Sequence, residues 1–244
     1  MKQFFSDFLE QTAYPKCSTP PAQEGIPQPA LELPWPADAA LIALPAPADL
    51  AIPAADLRAI IELRRSLRKY AMQALTLAEL SYLLWLTQCI KRITGRPATL
   101  RTVPSAGARH AFETILLVNR VEGLESGLYR YAASAHALLR LDAPEDIALQ
   151  FSAACGGQQH VLQSAVTFCW VAVTERMAWR YVERSMRYLH LDAGHVCQNL
   201  YLAAEALGCG VCAIAAYDDA ALNALLGLDG VDQFAIYLGT VGKR

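Results

Sequence analysis

Arg64-Arg65-Ser66-Leu67-Arg68-Lys69-Tyr70 sets four cations and a hydroxyl side by side at the close of an expected helix. Arg64/Arg68 and Arg65/Lys69 stand four apart, so on a continuing helix each like-charged pair would cost about 0.2–0.5 kcal/mol unless an anion sat between them. Planar guanidinium groups grip phosphate oxygens bidentately, and Ser66 adds one more hydrogen bond at the point of convergence. The run therefore reads as half of a phosphate cradle. A solvated helix end, whose cations complement the helix dipole, is the other reading these residues allow.

Other constellations fail on spacing. Cys209-Gly210-Val211-Cys212 has no second pair or nearby His to complete a tetrahedral metal site, and His190 and His195 are five apart, where one helical face needs three or four. No metal is expected. Gly239-Thr240-Val241-Gly242-Lys243 resembles part of a phosphate-binding loop but lacks the longer glycine loop and the helix that must follow. There is no Gly-x-Ser-x-Gly elbow and no Gly-x-Gly-x-x-Gly after a strand, so neither a hydrolase nor a Rossmann dinucleotide site is indicated.

The elements around the basic run follow from periodicity. Leu57, Ile60 and Ile61 have helical spacing after Asp56, and Thr76-Leu77-Ala78-Glu79 is a capping box opening a second helix. Thr102-Val103-Pro104-Ser105-Ala106-Gly107-Ala108-Arg109 is a loop of small residues, which lets backbone approach a flat ligand or simply connects two elements. It leads into a strand at 114–118; a strand pair follows at 128–131 and 137–141, and Pro144 starts a helix. The apolar run 165–173 is a buried central strand. Val182, Met186, Leu189, Ala193, Val196, Leu200, Ala203 and Leu207 predict one long helix, apolar nearly all round, that needs burial on more than one side. Residues 211–215 form a short segment, Asp218 caps a small helix, and 233–238 is the last strand.

With 244 residues, 54% of them hydrophobic, the chain can bury a sizeable core. A formal net charge of −2 argues against nucleic acid as a partner. Asp7 and Glu10 interrupt the apolar residues of 1–10, and no later run has the length of a membrane span, so no membrane association and a cytoplasmic location are expected. Seven cysteines fit reduced thiols there. Ten of thirteen prolines lie between Pro15 and Pro53. Residues 1–55 therefore read as an extended arm without long helices or central strands, laid by its apolar residues along a body at 56–244.

The basic run, then Pro104-Ser105-Ala106-Gly107, then 192–200 with 203–208 resemble, in this order, the nitroreductase superfamily of flavin enzymes, and most nearly its SagB-type dehydrogenase branch. The resemblance implies an α+β fold with a central, mostly antiparallel sheet wrapped by helices. It also implies an intertwined homodimer with two FMN sites at its interface. Arg64, Arg65, Ser66 and Arg68 would hold the FMN phosphate and ribityl chain, with Lys243 reaching the phosphate from the C-terminal end. Pro104, Ser105, Ala106 and Gly107 would pack on the flavin from the partner subunit. Gln158 would meet its pyrimidine edge, and Ile214, Ala215 and Ala216 would back the ring. Ala108 stands where many nitroreductases place an asparagine.

What the resemblance implies for function is an FMN-dependent oxidoreductase with ping-pong electron or hydride transfer between a reductant, NAD(P)H among the candidates, and a small organic or peptide substrate. Azoline-oxidising relatives carry a lysine and a tyrosine where this chain has Arg180 and Tyr181, the candidate catalytic pair. A desolvated lysine can act as a base whereas arginine stays protonated, so Tyr181 is the better candidate for proton transfer. Two alternatives remain at this level: a flavin-binding protein without turnover, and a non-flavin interaction module built on the long helix.

Overall fold

A computed structural model of the chain describes every residue except 47, 49, 50, 53, 96 and 97. Pro47 and Pro53 of the arm thus lie outside the described residues. The chain opens with α1 (Lys2–Gln11), which forms because the first proline is Pro15; the sequence reading had no helix here. Within the proline-rich stretch β1 (Leu41–Ala43) pairs at the sheet edge, where a neighbouring proline does least harm to the ladder. Next come α2 (Leu57–Leu63), capped by the Asp56 carboxylate, and α3 (Leu77–Gln88), opened by the Thr76/Glu79 capping box. β2 (Ile90–Ile93) and β3 (Thr99–Arg101) form a separate antiparallel pair.

The central strands follow: β4 (Phe112–Val118), β5 (Gly127–Ala132) and β6 (Ala137–Leu141). After α4 (Ile147–Ala154) and α5 (Gln159–Gln163) comes β7 (Val166–Val173). Then come α6 (Thr174–Tyr181), α7 (Ser185–Ala206), β8 (Cys209–Ile214), α8 (Asp219–Leu225, capped by Asp218) and β9 (Gln233–Lys243). The main sheet has the order β1-β6-β5-β4-β7-β9-β8 with every pair antiparallel. The fold is α+β, as expected.

Alternation along the inner strands assigns the two faces. Leu116, Phe168 and Trp170 face Leu80, Leu83, Leu189 and Leu200 of α3 and α7. Ile115, Leu117, Cys169 and Val171 face Ile147, Phe151 and Leu222 of α4 and α8. Every residue of β4 and β7 is buried, which is why these strands read as continuous apolar runs instead of alternating ones.

Four expectations need correction. The helix predicted to start at Val182 is broken there: Val182 has φ +41°, ends α6, and a short 3-10 turn precedes α7. α7 is 22 residues long, about 33 Å at the α-helical rise. Nor is it apolar all round, since His190, Gly194, His195 and Gln198 form an exposed stripe. The last strand does not stop at Leu238 but runs to Lys243 between β7 and β8, so 239–243 is ladder and not a loop. Finally, the basic run is extended, not helical, because Arg64 leaves α2 at ψ 125° and Ser66 bridges Val211 in parallel along β8.

Candidate functional site

Backbone pairing and two glycines hold the basic run. The Leu67 N–H donates to the Val211 carbonyl (2.8 Å) and the Ala71 N–H to that of Lys243 (3.0 Å). Leu67 lies on Gly210 and Tyr70 on Gly242, so closely that a Cβ on either glycine would come within 2.4 and 2.7 Å of them respectively. The Tyr70 hydroxyl donates to the Leu67 carbonyl (2.7 Å) and meets the Thr240 hydroxyl at 2.7 Å. In an extended run, residues four apart no longer face one another across a helical turn. The cations nonetheless remain crowded, and among the described residues Arg64, Arg65, Arg68 and Lys69 form no ion pair.

Tyr201 of α7 joins this run to the end of β8. Its hydroxyl contacts Ser66 Oγ at 2.9 Å and accepts the Ala213 N–H at 2.9 Å, while the Arg64 guanidinium lies 5.3 Å from its ring centroid. Next to that contact, Ile214 ends β8 buried, and Ala215 and Ala216 open the following loop exposed. Gln158 binds the far side of it, its Nε2 donating to the carbonyls of Cys155 (2.8 Å) and Ala216 (2.9 Å). Both amide hydrogens are thereby used, and the amide oxygen is the acceptor left over.

His160 was not anticipated from the sequence. Its ring is buried, yet Nε2 has no partner among the described residues. Burial lowers the imidazole below its ordinary range and the nearby Arg68 charge lowers it further. Burial raises the Cys212 thiol, against which Arg68 acts in the opposite sense. The Arg68 charge thus acts on both groups. Lys243 is committed elsewhere: it pairs with Glu79 of the α3 cap, and contact with a phosphate would have to compete with that carboxylate.

The small-residue loop is positioned by the other end of α7. Both Asp192 oxygens lie 3.3 Å from the Ala106 N–H, and Ser105 Oγ accepts the His110 N–H at 2.9 Å. Burial pushes the Asp192 carboxyl up, opposed by its bonds to Ser105 and Ala106. Asp192 and Tyr201 are nine residues apart, so α7 separates the loop's anchor from the run's by about 13.5 Å along its axis. Pro104 precedes this turn, and Gly107 within it adopts φ +57°.

Arg180 and Tyr181 pack on that glycine. A Cβ at Gly107 would lie 2.6 Å from Tyr181 Oη and 2.9 Å from Arg180 Cδ. The Tyr181 and Tyr188 rings meet edge-on at 4.6 Å, and the Arg180 guanidinium is 5.9 Å from the Tyr181 centroid. Neither the Arg180 side chain nor the Tyr181 hydroxyl makes a hydrogen bond among the described residues. The pair ends α6 beside Val182, whose positive φ costs a β-branched residue on the order of 1–3 kcal/mol and marks a constrained corner. Among the described residues no group of three His, Cys, Asp or Glu is placed to hold a metal, and no helix is long and apolar enough to cross a membrane.

A family model described as "Nitroreductase family" matches residues 61–243. A Methanocaldococcus jannaschii protein named as a nitroreductase is 32% identical over 181 residues, which are 74% of this chain and 87% of that protein. The trifolitoxin-processing protein TfxB of Rhizobium leguminosarum bv. trifolii is 36% identical over 115 residues, 44% of this chain and 30% of that one. Among solved structures, a nitroreductase-named protein of Anabaena variabilis has TM-score 0.65 and 32% identity over 78% of this chain and 38% of its own. One from Ralstonia eutropha has TM-score 0.69 and 24% identity over 89% and 94%, and shows the shared fold. The chain thus spans about a third of the length of TfxB and of the Anabaena protein. Matched over three quarters of its length, with its antiparallel sheet and its helices in the arrangement of those structures, the chain belongs to the nitroreductase family.

Proposed function

We propose that this chain is an FMN-dependent oxidoreductase of the SagB-type branch, acting as a homodimer in the cytoplasm. The observation that carries the reading is the basic run: cations without ion pairs, fixed to β8 and Tyr201, beside the orphaned His160 nitrogen. Such a cluster suits one terminal phosphate. Arg64, Arg65, Ser66 and Arg68 would hold that phosphate and the ribityl chain. The free Gln158 oxygen suits an N–H of the pyrimidine edge, and 214–216 would back the ring. Pro104, Ser105, Ala106 and Gly107 would cover it from the partner subunit. When bound, FMN supplies two-electron redox chemistry, with reductant (NAD(P)H in this reading) and acceptor taking turns at one site.

The chain's own tasks are binding, orientation and proton handling. Tyr181, whose hydroxyl is uncommitted, is the group assigned to proton transfer. Arg180 stays charged and holds or polarises an anionic substrate. Residues 1–55 act as an arm on the flavin-binding body at 56–244. Seven free thiols are consistent with a reducing compartment. The similarity to TfxB favours a second reading in which the substrate is a peptide.

The test is anaerobic photoreduction of the purified protein followed by mixing with a quinone or nitroaromatic. Reoxidation within a single turnover is expected. Flavin that binds but stays reduced would leave a flavin-binding protein without turnover, and failure to take up FMN would end the flavin reading.

A further inference from the structure

A cavity of about 840 Å³ lies between the N-terminal arm and the corner where α6 meets α7. Its inner wall is Trp179, Arg180, Tyr181 and Tyr188, and its outer wall is the arm around 17–23. The arm is fastened there by specific bonds. Ser18 donates through N–H (2.9 Å) and Oγ (2.5 Å) to the Glu183 carboxylate, and the Ala22 N–H donates to the Trp179 carbonyl (2.9 Å). Trp179 Nε1 returns a bond to the Ile26 carbonyl (2.8 Å), and Arg184 Nη1 donates to that of Thr12 (2.8 Å).

These bonds decide the charge inside. Glu183, in the 3-10 turn between α6 and α7, is consumed by Ser18. The charged side chains lining the cavity are Arg180 and Arg184, with no acid among its lining residues. Arg184 is committed to Thr12 and Tyr188, whereas Arg180 has no ion pair or hydrogen bond among the described residues. An uncompensated guanidinium therefore stands 5.9 Å from the Tyr181 centroid, in a wall that also carries Trp179 and Tyr188. A planar ring can stack on those rings while the guanidinium takes a carboxylate through two parallel bonds. The volume lies within the range of small-molecule sites.

We propose that this chamber selects planar aromatic or conjugated acceptors that carry a carboxylate, with Arg180 as the carboxylate ligand and the arm as a specificity-determining wall. That the ligand is an electron acceptor rests on the oxidoreductase reading above; the charge and shape selection do not.

Equilibrium dialysis of 4-nitrobenzoate and its uncharged isostere 4-nitrobenzamide against the full-length protein, with flavin content measured spectroscopically on the same samples, tests this. The carboxylate should bind about ten- to a hundredfold tighter than the amide, the range for a hydrogen-bonded charge pair. Arg180→Gln should collapse that ratio to near unity, and Ala22→Trp, which fills the chamber from the arm side, should weaken both ligands. Equal affinities in the parent, or a ratio unchanged in Arg180→Gln, overturn the proposal. So does full binding in a folded Ala22→Trp protein, with folding checked by circular dichroism. Charge-selective binding by a protein that takes up no flavin supports the chamber and overturns the oxidoreductase reading.

Discussion

Gly107 and Tyr181 are packed so tightly that a Cβ on the glycine would lie 2.6 Å from the tyrosine hydroxyl. The contact joins the loop held by Asp192 to the corner that ends α6, and it puts the proposed proton-transfer group against the backbone proposed to cover the ring. Gly107→Ala should destabilise the fold by about 1–2 kcal/mol from its positive φ alone, and more from the clash. Urea denaturation measures the loss. Adding Tyr181→Phe removes the clashing oxygen and should recover part of it; strictly additive effects would show that the two residues do not press on each other.

Arg68→Ala should weaken FMN binding by about 1.5–3 kcal/mol while leaving the unfolding midpoint nearly unchanged, because an exposed arginine contributes little to stability and a charge-assisted phosphate bond contributes much to affinity. Fluorescence titration with FMN checks it. Equal affinities in mutant and parent would remove Arg68 from the site.

Much of this site was legible locally and its assembly was not. The helix that follows Asp56, the Thr76 and Asp218 caps, the strands at 114–118 and 165–173 and the basic run all announce themselves within a few residues. The extended form of the run depends on Ser66 and Leu67 meeting Val211, far along the chain, so residues 57–64 alone read as a helix that continues. The four-three apolar spacing starts at Val182 and runs across the 3-10 turn at Val182–Arg184 unaltered, so nothing in the pattern marked the break. His160 has no motif around it and becomes conspicuous only when burial leaves Nε2 without a partner. The Ser18–Glu183 fastening joins residues 165 apart and leaves no local signal.

Leu57, Ile61 and Leu63 on α2 are each more than half exposed. On the homodimer reading they are covered by the second subunit, and light scattering should give twice the 26.6 kDa chain mass. Ile61→Glu should shift the protein to monomer and lower its flavin content together. A parent that scatters as a monomer would contradict the shared-site arrangement.

His110 sets a pH dependence. Burial, with Arg101 and Arg109 adding to it, lowers the imidazole to about 3 from an ordinary 6.5. Between those values the unfolded chain binds a proton that the folded chain refuses, so stability falls as pH falls through that window, by at most about 1.4 kcal/mol per pH unit. Burial depresses His136 and His160 in the same direction. Denaturant midpoints at pH 7.5 and 5 should differ accordingly. His110→Asn, a residue that tolerates the φ of +45° found at this position, should reduce the difference, and an unchanged difference would assign it to other groups.

The central claim is that the run from Arg64 to Lys69 holds the phosphate of a mononucleotide flavin. Parallel titrations of the flavin-stripped protein with FMN and with riboflavin test it most directly, since the two ligands differ by that phosphate alone. FMN should bind at least about a hundredfold tighter, the worth of two charge-assisted phosphate bonds at the low end of their range, and raised salt should narrow the gap. Equal dissociation constants for FMN and riboflavin would contradict the account.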